Sequence, residues 1–148
     1  MPDGMTVCAT EQCHLSAVTE LAMLIWGGSS DELRGEFAAM LSDESRLLLV
    51  AVHQGEVVGF AQAGLRHDYV EGTGTSPVGY LEGVCVREDF RHRGCAAALV
   101  AQCEQWARER GCSEFASDCE LDNTASLAFH LGIGFEEAGR IICFKKSL

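Results

Sequence analysis

Arg91-His92-Arg93-Gly94-Cys95-Ala96 is the stretch on which the fold turns. It follows an apolar run, Gly79-Tyr80-Leu81-Glu82-Gly83-Val84-Cys85-Val86, and it opens a helical pattern. A strand that runs into a short basic turn and leaves it as a helix presents free backbone N–H groups to one point. The positive end of the helix dipole faces the same point. Such a point binds anions, phosphates above all. Gly94 lets the backbone approach a phosphate closely, and Ala96 keeps the first helical turn thin. Alone, six residues also describe a solvated basic turn, so the reading rests on what surrounds them.

Working outward, residues 94–110 carry an apolar stripe of Leu99, Cys103 and Trp106, with Glu104 and Arg108 as an i,i+4 pair on the wet side. Gly111 stops this helix. Residues 114–118 read as a short strand, so residues 79–118 form a strand–helix–strand crossover with parallel strands. Upstream, residues 5–10 have a strand pattern. From Glu11, apolar residues recur at spacings of three or four through Ile25, which predicts an amphipathic helix. A second short helix is expected over 31–41 with Ser30 as N-cap. Residues 46–53 and 56–67 read as an antiparallel hairpin about Gln54-Gly55. Residues 68–77 form a polar loop. Downstream, residues 123–131 read as a helix stopped by Gly132 and Gly134, and 141–146 as a closing strand. The expected fold class is α/β: a mixed central sheet with antiparallel N-terminal strands, a parallel βαβ core and flanking helices.

The 148 residues suit one domain, 1–148, and 47% hydrophobic content supports a core. No run of about 18 apolar residues exists, so no membrane span is expected. Residues 1–5 lack a basic region followed by an apolar segment, so no signal peptide is expected and the cytoplasm is the default. The eight cysteines form no Cys-x-x-Cys pair, and none has a histidine at zinc-finger spacing, so no metal is expected. They read as buried free thiols used as small hydrophobes. The net charge of −11 opposes nucleic-acid binding and favours a cationic small molecule; solubility explains the same charge equally well.

Two carboxylates stand out. Glu82 interrupts an apolar strand, and Asp118 ends its parallel neighbour, where such sheets open their ligand crevice. A carboxylate can orient an ammonium group and accept its proton. The blander readings are a satisfied buried carboxylate for Glu82 and a turn or capping residue for Asp118. Trp26 and Tyr69 can wall an apolar ligand face, or Trp26 can simply close the first helix against the core. His67, Asp68 and Glu71 add polar groups to the same loop as Tyr69, or are merely solvated.

The spacing Arg-x-x-Gly-x-Ala, with the order of elements around it, resembles the GNAT N-acetyltransferases. Arg66-His67-Asp68-Tyr69-Val70, Thr75-Ser76-Pro77-Val78, Leu81-Glu82-Gly83, Ala116-Ser117-Asp118, and His130 with Gly134-Phe135-Glu136-Glu137 resemble the aminoglycoside 6'-N-acetyltransferases within them. The resemblance covers nearly the whole chain. It implies acetyl transfer from acetyl-CoA to the 6'-amine of aminoglycosides, hence antibiotic resistance. It implies a cofactor site of Val84, Cys85, Val86, Arg91, His92, Arg93, Gly94, Cys95, Ala96 and Asn123. Backbone N–H groups near Val84–Val86 would meet both the oxyanion and the pantetheine arm. Catalysis would fall to Asp118 and Glu82. His130 stands where many relatives place a tyrosine that protonates the leaving thiolate, and a packed histidine explains it as well. The implied substrate site is Trp26, His67, Asp68, Tyr69, Glu71, Glu82 and Asp118. A homodimer is also implied, with the last strand available for pairing between subunits. The competing expectations are a GNAT enzyme for another cationic amine, such as a polyamine or a protein N-terminus, and a non-catalytic acetyl-CoA-binding module. A thiol redox protein is a weaker alternative.

Overall fold

A computed structural model describes residues 4–148. The elements run β1 (Met5–Ala9), a 3-10 turn (Gln12–His14), α1 (Leu15–Trp26), α2 (Ser30–Met40), β2 (Arg46–His53), β3 (Glu56–Arg66), β4 (Val78–Val86), a 3-10 turn (Glu88–Phe90), α3 (Cys95–Glu109), β5 (Phe115–Ser117) and α4 (Thr124–Gly132). One sheet takes all five strands in sequence order. The first three pairings are antiparallel and β4 with β5 is parallel, so the sheet is mixed as expected.

The β2–β3 hairpin forms because two Leu/Val-rich runs flank Gln54-Gly55, whose φ of 50° and 81° suit a tight turn between twisted strands. Period-2 alternation then sends β2 side chains to two cores. Leu49 and Ala51 pack with Leu99, Cys103 and Trp106 of α3. Leu48 and Val50 pack with Leu15 and Val18 of α1 and Phe37 of α2. Both sheet faces are covered, which is why β2 reads as a continuous apolar run. Thr19 inside α1 returns its hydroxyl to Leu15 O at 2.7 Å, so its buried polar atom is satisfied.

Four expectations need correction. Ser29, not Ser30, caps α2, accepting from Glu32 N at 3.3 Å; the adjacent serines are chemically equivalent, and backbone conformation chooses between them. The helix expected from Glu11 begins as the 3-10 turn, because Glu11 and His14 form a reciprocal cap there. No strand forms over 141–146: Ile141, Ile142 and Phe144 are exposed, with no partner strand within the described residues. Only Cys85, Cys95, Cys103 and Cys112 are buried, while Cys8, Cys13, Cys119 and Cys143 are exposed, so half the cysteines are not core hydrophobes. All eight are unpaired. Among the described residues no helix is long and apolar enough to cross a membrane.

Burial pushes the Cys103 thiol up to about 12, so it stays protonated at neutral pH and is shielded besides. A disulfide reagent at neutral pH is expected to label the four exposed cysteines quickly and the remaining four only after denaturation. Mass mapping of labelled peptides would check this; early labelling of Cys103 would contradict the packing.

Candidate active site

The site grows from a defect in the sheet. Strand β4 pairs with β3 along its length, but β5 reaches only as far as Leu81. At the same place the β3–β4 register slips: Ala63 faces Leu81 while Gln62 faces Gly83, leaving Glu82 as the extra residue of a bulge. The bulge reverses the hydrogen-bonding parity of β4. Before it, Gly79 N–H donates toward β5, to Glu114 O at 3.1 Å; after it, Arg87 N–H donates toward β3, to Val58 O at 2.7 Å. Alternation therefore turns the N–H groups of Val84 and Val86 to the open side, where no strand meets them. They lie in the stretch where the family resemblance implies such donors. Backbone donors that no strand meets are available to a polar ligand.

The chain then turns through residues 87–94 into α3. His92 and Gly94 both adopt left-handed φ, 61° and 81°. Gly94 is the N-cap and supplies no side-chain cap, so the first N–H groups of α3 stay available, as the anion-site reading requires. Arg91 folds back, its Nε–H donating to Val86 O at 2.9 Å, and Arg93 lies over the Phe90 ring. The turn is thus clamped to the end of β4. Free backbone donors on β4 and at the α3 N-terminus suit a ligand with an amide-bearing arm and a phosphate end.

The two carboxylates come together on this side of the sheet. Glu82 is exposed on its bulge, which corrects the reading of a buried strand carboxylate. Arg66, at the end of β3, donates to Glu82 Oε1 through Nη2 at 2.8 Å and Nε at 3.3 Å. The same guanidinium lies 3.5 Å from the centre of the Tyr80 ring. The Tyr80 phenol donates to Asp118 Oδ2. Burial, followed by the hydrogen bond to Asp118, pushes the phenol well above its ordinary range, so it remains a donor. Arg66 and Tyr80 are the residues that sequence reasoning missed. Both lay in or beside quoted motifs, but only the strand register shows that they join the two carboxylates.

Trp26 lies across β4 at Gly83, where an added Cβ would sit 2.7 Å from its ring, and also packs on Phe60. It forms a half-exposed wall beside Glu82. His130 on α4 is held at both ring nitrogens: Nδ1–H donates to Ser126 O at 2.7 Å, and Nε2 meets Ser117 Oγ at 2.9 Å. Ser117 in turn reaches Leu81 O at 3.2 Å, so His130 is tied to the point where β4 and β5 part. Asn123 caps α4, accepting from Ser126 N–H at 3.1 Å. His67, Asp68 and Tyr69 lie exposed in the loop; the Tyr69 hydroxyl accepts from Gly72 N–H, and Glu71 rests against Gly139. Among the described residues, the hydrogen bonds of Glu82 and Asp118 go to Arg66 and Tyr80, not to these four. A cavity of about 390 Å³ lies away from these residues, between Ser42, Trp106 and Arg110.

The acetyltransferase (GNAT) family model matches residues 15–135, and the chain belongs to this family. Within it, the chain is similar to proteins named aminoglycoside N(6')-acetyltransferase type 1. That of Acinetobacter baumannii is 37% identical over 145 residues, covering 97% of this chain and 99% of the relative. That of Salmonella typhimurium is 36% identical over 143 residues, covering 96% and 99%. The fold matches the crystal structure of aminoglycoside 6'-N-acetyltransferase AAC(6')-Ih from Acinetobacter baumannii with a TM-score of 0.93 at 38% identity, over 98% of this chain and 99% of that one. It also matches AAC(6')-Iy in complex with the bisubstrate analogue CoA-S-monomethyl-acetylneamine, TM-score 0.92 at 36% identity, over 97% and 99%. Both the expected family and the expected fold class are borne out.

Gly83→Ala is expected to destabilise the protein by about 1–3 kcal/mol, because the methyl group meets the Trp26 ring. Gly74→Ala, with open space around its Cβ, serves as the neutral control. Urea midpoints of the two variants would check the difference.

Proposed function

We propose that this protein transfers an acetyl group from acetyl-CoA to the 6'-amine of aminoglycoside antibiotics. The single observation that carries the reading is the pairing of an acidic receptor, Glu82 with Asp118, with free backbone donors on the parted half of β4. The names of the relatives and the CoA analogue held by one of them support it.

Acetyl-CoA supplies an activated thioester when bound. The N–H groups at the start of α3, with Arg91 to Ala96 around them, hold its phosphates. The N–H groups of Val84 and Val86 hold its amide-bearing arm and meet the negative charge that builds on the carbonyl oxygen. Glu82 and Asp118 receive the cationic amine, and Asp118 accepts the proton that must leave nitrogen before or during attack. Trp26 walls the sugar rings, with Tyr69 and the polar groups of His67, Asp68 and Glu71 on the loop above. His130, fixed by Ser117 and Ser126, is the candidate to return a proton to the leaving thiolate, and Asn123 completes the cofactor side.

Residues 1–148 act as one acetyltransferase domain. The protein works in the cytoplasm, where a reducing environment suits eight unpaired cysteines. It is a homodimer. The exposed apolar side chains of Ile141, Ile142 and Phe144 support this, because a segment with strand pattern and no strand partner in its own chain can pair in a second copy. Sedimentation is expected to give a dimer, and removal of residues 141–148 a monomer; a monomeric full-length chain would overturn the assembly.

Thiol release from acetyl-CoA is expected with kanamycin A but not with an analogue bearing a 6'-hydroxyl, nor with spermidine or a peptide. Product NMR should place the acetyl group on the 6'-nitrogen. Asp118→Asn is expected to lower kcat by about 10²–10⁴-fold, the usual contribution of a general base. Acetylation at a ring position other than 6' would sink the regiochemistry and leave the family assignment standing.

A further inference from the structure

Each of the two carboxylates has one oxygen tied and one left over. Both Arg66 donors converge on Oε1 of Glu82 instead of forking across the two oxygens, so among the described residues Oε2 has no partner. The Tyr80 phenol takes Oδ2 of Asp118, and Oδ1 likewise has no partner among the described residues. The groups doing the tying are themselves stacked, guanidinium over ring at 3.5 Å.

Glu82, Arg66, Tyr80 and Asp118 therefore form one continuous chain of contacts. It runs from the β4 bulge through the end of β3 and the first half of β4 to the residue that follows β5. We propose that the Arg66–Tyr80 stack is a positioning unit, a clamp that holds one oxygen of each carboxylate and presents the other to the cationic substrate. This rests on the acetyltransferase reading above.

The clamp answers a physical difficulty. Two carboxylates facing one cleft repel each other and swing apart unless something holds them. Arg66 supplies a fixed positive charge between them. Burial acts to weaken that charge, but the hydrogen bond and charge of Glu82, with Tyr80 and Asp118, more than offset it. A planar guanidinium can bond a carboxylate at its edge and stack on a phenol through its face at once; an ammonium cannot do both. The stack also holds the two remaining oxygens at a set separation. The site then selects an aminoglycoside whose ring geometry offers cationic groups to both oxygens at that separation, rather than a single ammonium or a flexible chain of amines. Arg66 and Tyr80 act through Glu82 and Asp118; they are positioning residues, and neither is assigned a proton transfer.

Tyr80→Phe keeps the ring and removes the hydrogen bond. Arg66→Met keeps much of the stem and removes the charge. Arg66→Lys restores the charge without the fork. With kanamycin A, Tyr80→Phe and Arg66→Met are each expected to raise KM roughly 10–100-fold, the effect of one charge-assisted hydrogen bond, with KM for acetyl-CoA little changed. Arg66→Lys should recover only part of the loss. Because the two residues work as one unit, the double variant should cost no more than the worse single one. Additive losses, or a KM for acetyl-CoA that rises in step, would overturn the clamp in favour of a purely structural role. A second measurement needs no turnover. In nitrogen-15 spectra of the substrate-free protein, the Arg66 Nε–H signal should be sharp and slow to exchange, and lost in both Tyr80→Leu, which removes the ring, and Glu82→Gln. An unchanged signal in those variants also rejects the clamp. If the wild-type protein leaves kanamycin A untouched, the proposed function fails, and the Arg66 signal still decides the clamp.

Discussion

Beyond Leu81, strand β4 keeps a neighbour on one side only, and the rest of the site follows from that constraint. A buried backbone N–H must find a partner, and a sheet ordinarily provides one along every strand. Here β5 stops after three paired residues, and β3 continues alone. The parting leaves room between two strands that both carry functional groups. It also leaves donors aimed into that room. A bulge at the same point decides which donors they are, since one extra residue on β4 exchanges the inward and outward sets. Without Glu82 as that extra residue, the alternation of β4 would turn the N–H groups of Val84 and Val86 onto β3.

The acidic side of the cleft shows how like charges can be kept close. The chain carries 22 acidic and 11 basic residues, so cations are scarce, and one of them is placed in the cleft itself. Arg66 neutralises Glu82 and lies on the ring whose hydroxyl binds Asp118. Under the proposed function, the negative charge of the whole molecule draws a cation inward, and the internal arginine keeps the receptors from repelling each other before it arrives. His130 is organised in the same spirit. A side chain with two usable nitrogens is pinned at both, by a backbone carbonyl and by a serine.

Much of this was readable in the residues. The β2–β3 hairpin was visible because two apolar runs flank a turn dipeptide. The long helix was visible through Leu99, Cys103 and Trp106, which all lie buried on one stripe. The turn into α3 and the residue after the fifth strand were visible for the same reason: local chemistry places them. What escaped notice depends on register. A bulge has no compositional signature, so Glu82 stood out as a candidate receptor without any sign that it lies exposed on one. Arg66 and Tyr80 are 14 residues apart and meet only because β3 and β4 pair as they do. The closing segment has the composition of a strand, but composition does not supply the neighbour a strand needs. Cys8 and Cys119 sit at a sheet edge and in a loop, where apolar surroundings in sequence do not translate into burial.

The chain has two tryptophans, and the fold gives them opposite surroundings. Trp106 is sealed between α3 and the sheet at 8% exposure, whereas Trp26 leans over Gly83 at 43%, next to Glu82. An indole in a dry, rigid setting emits the same light whether or not the cleft is filled. Under the proposed function, the indole at the cleft wall exchanges water for sugar when a ligand settles against it. On that reading the protein contains its own optical sensor and its own internal reference, and cleft occupancy can be followed without any label.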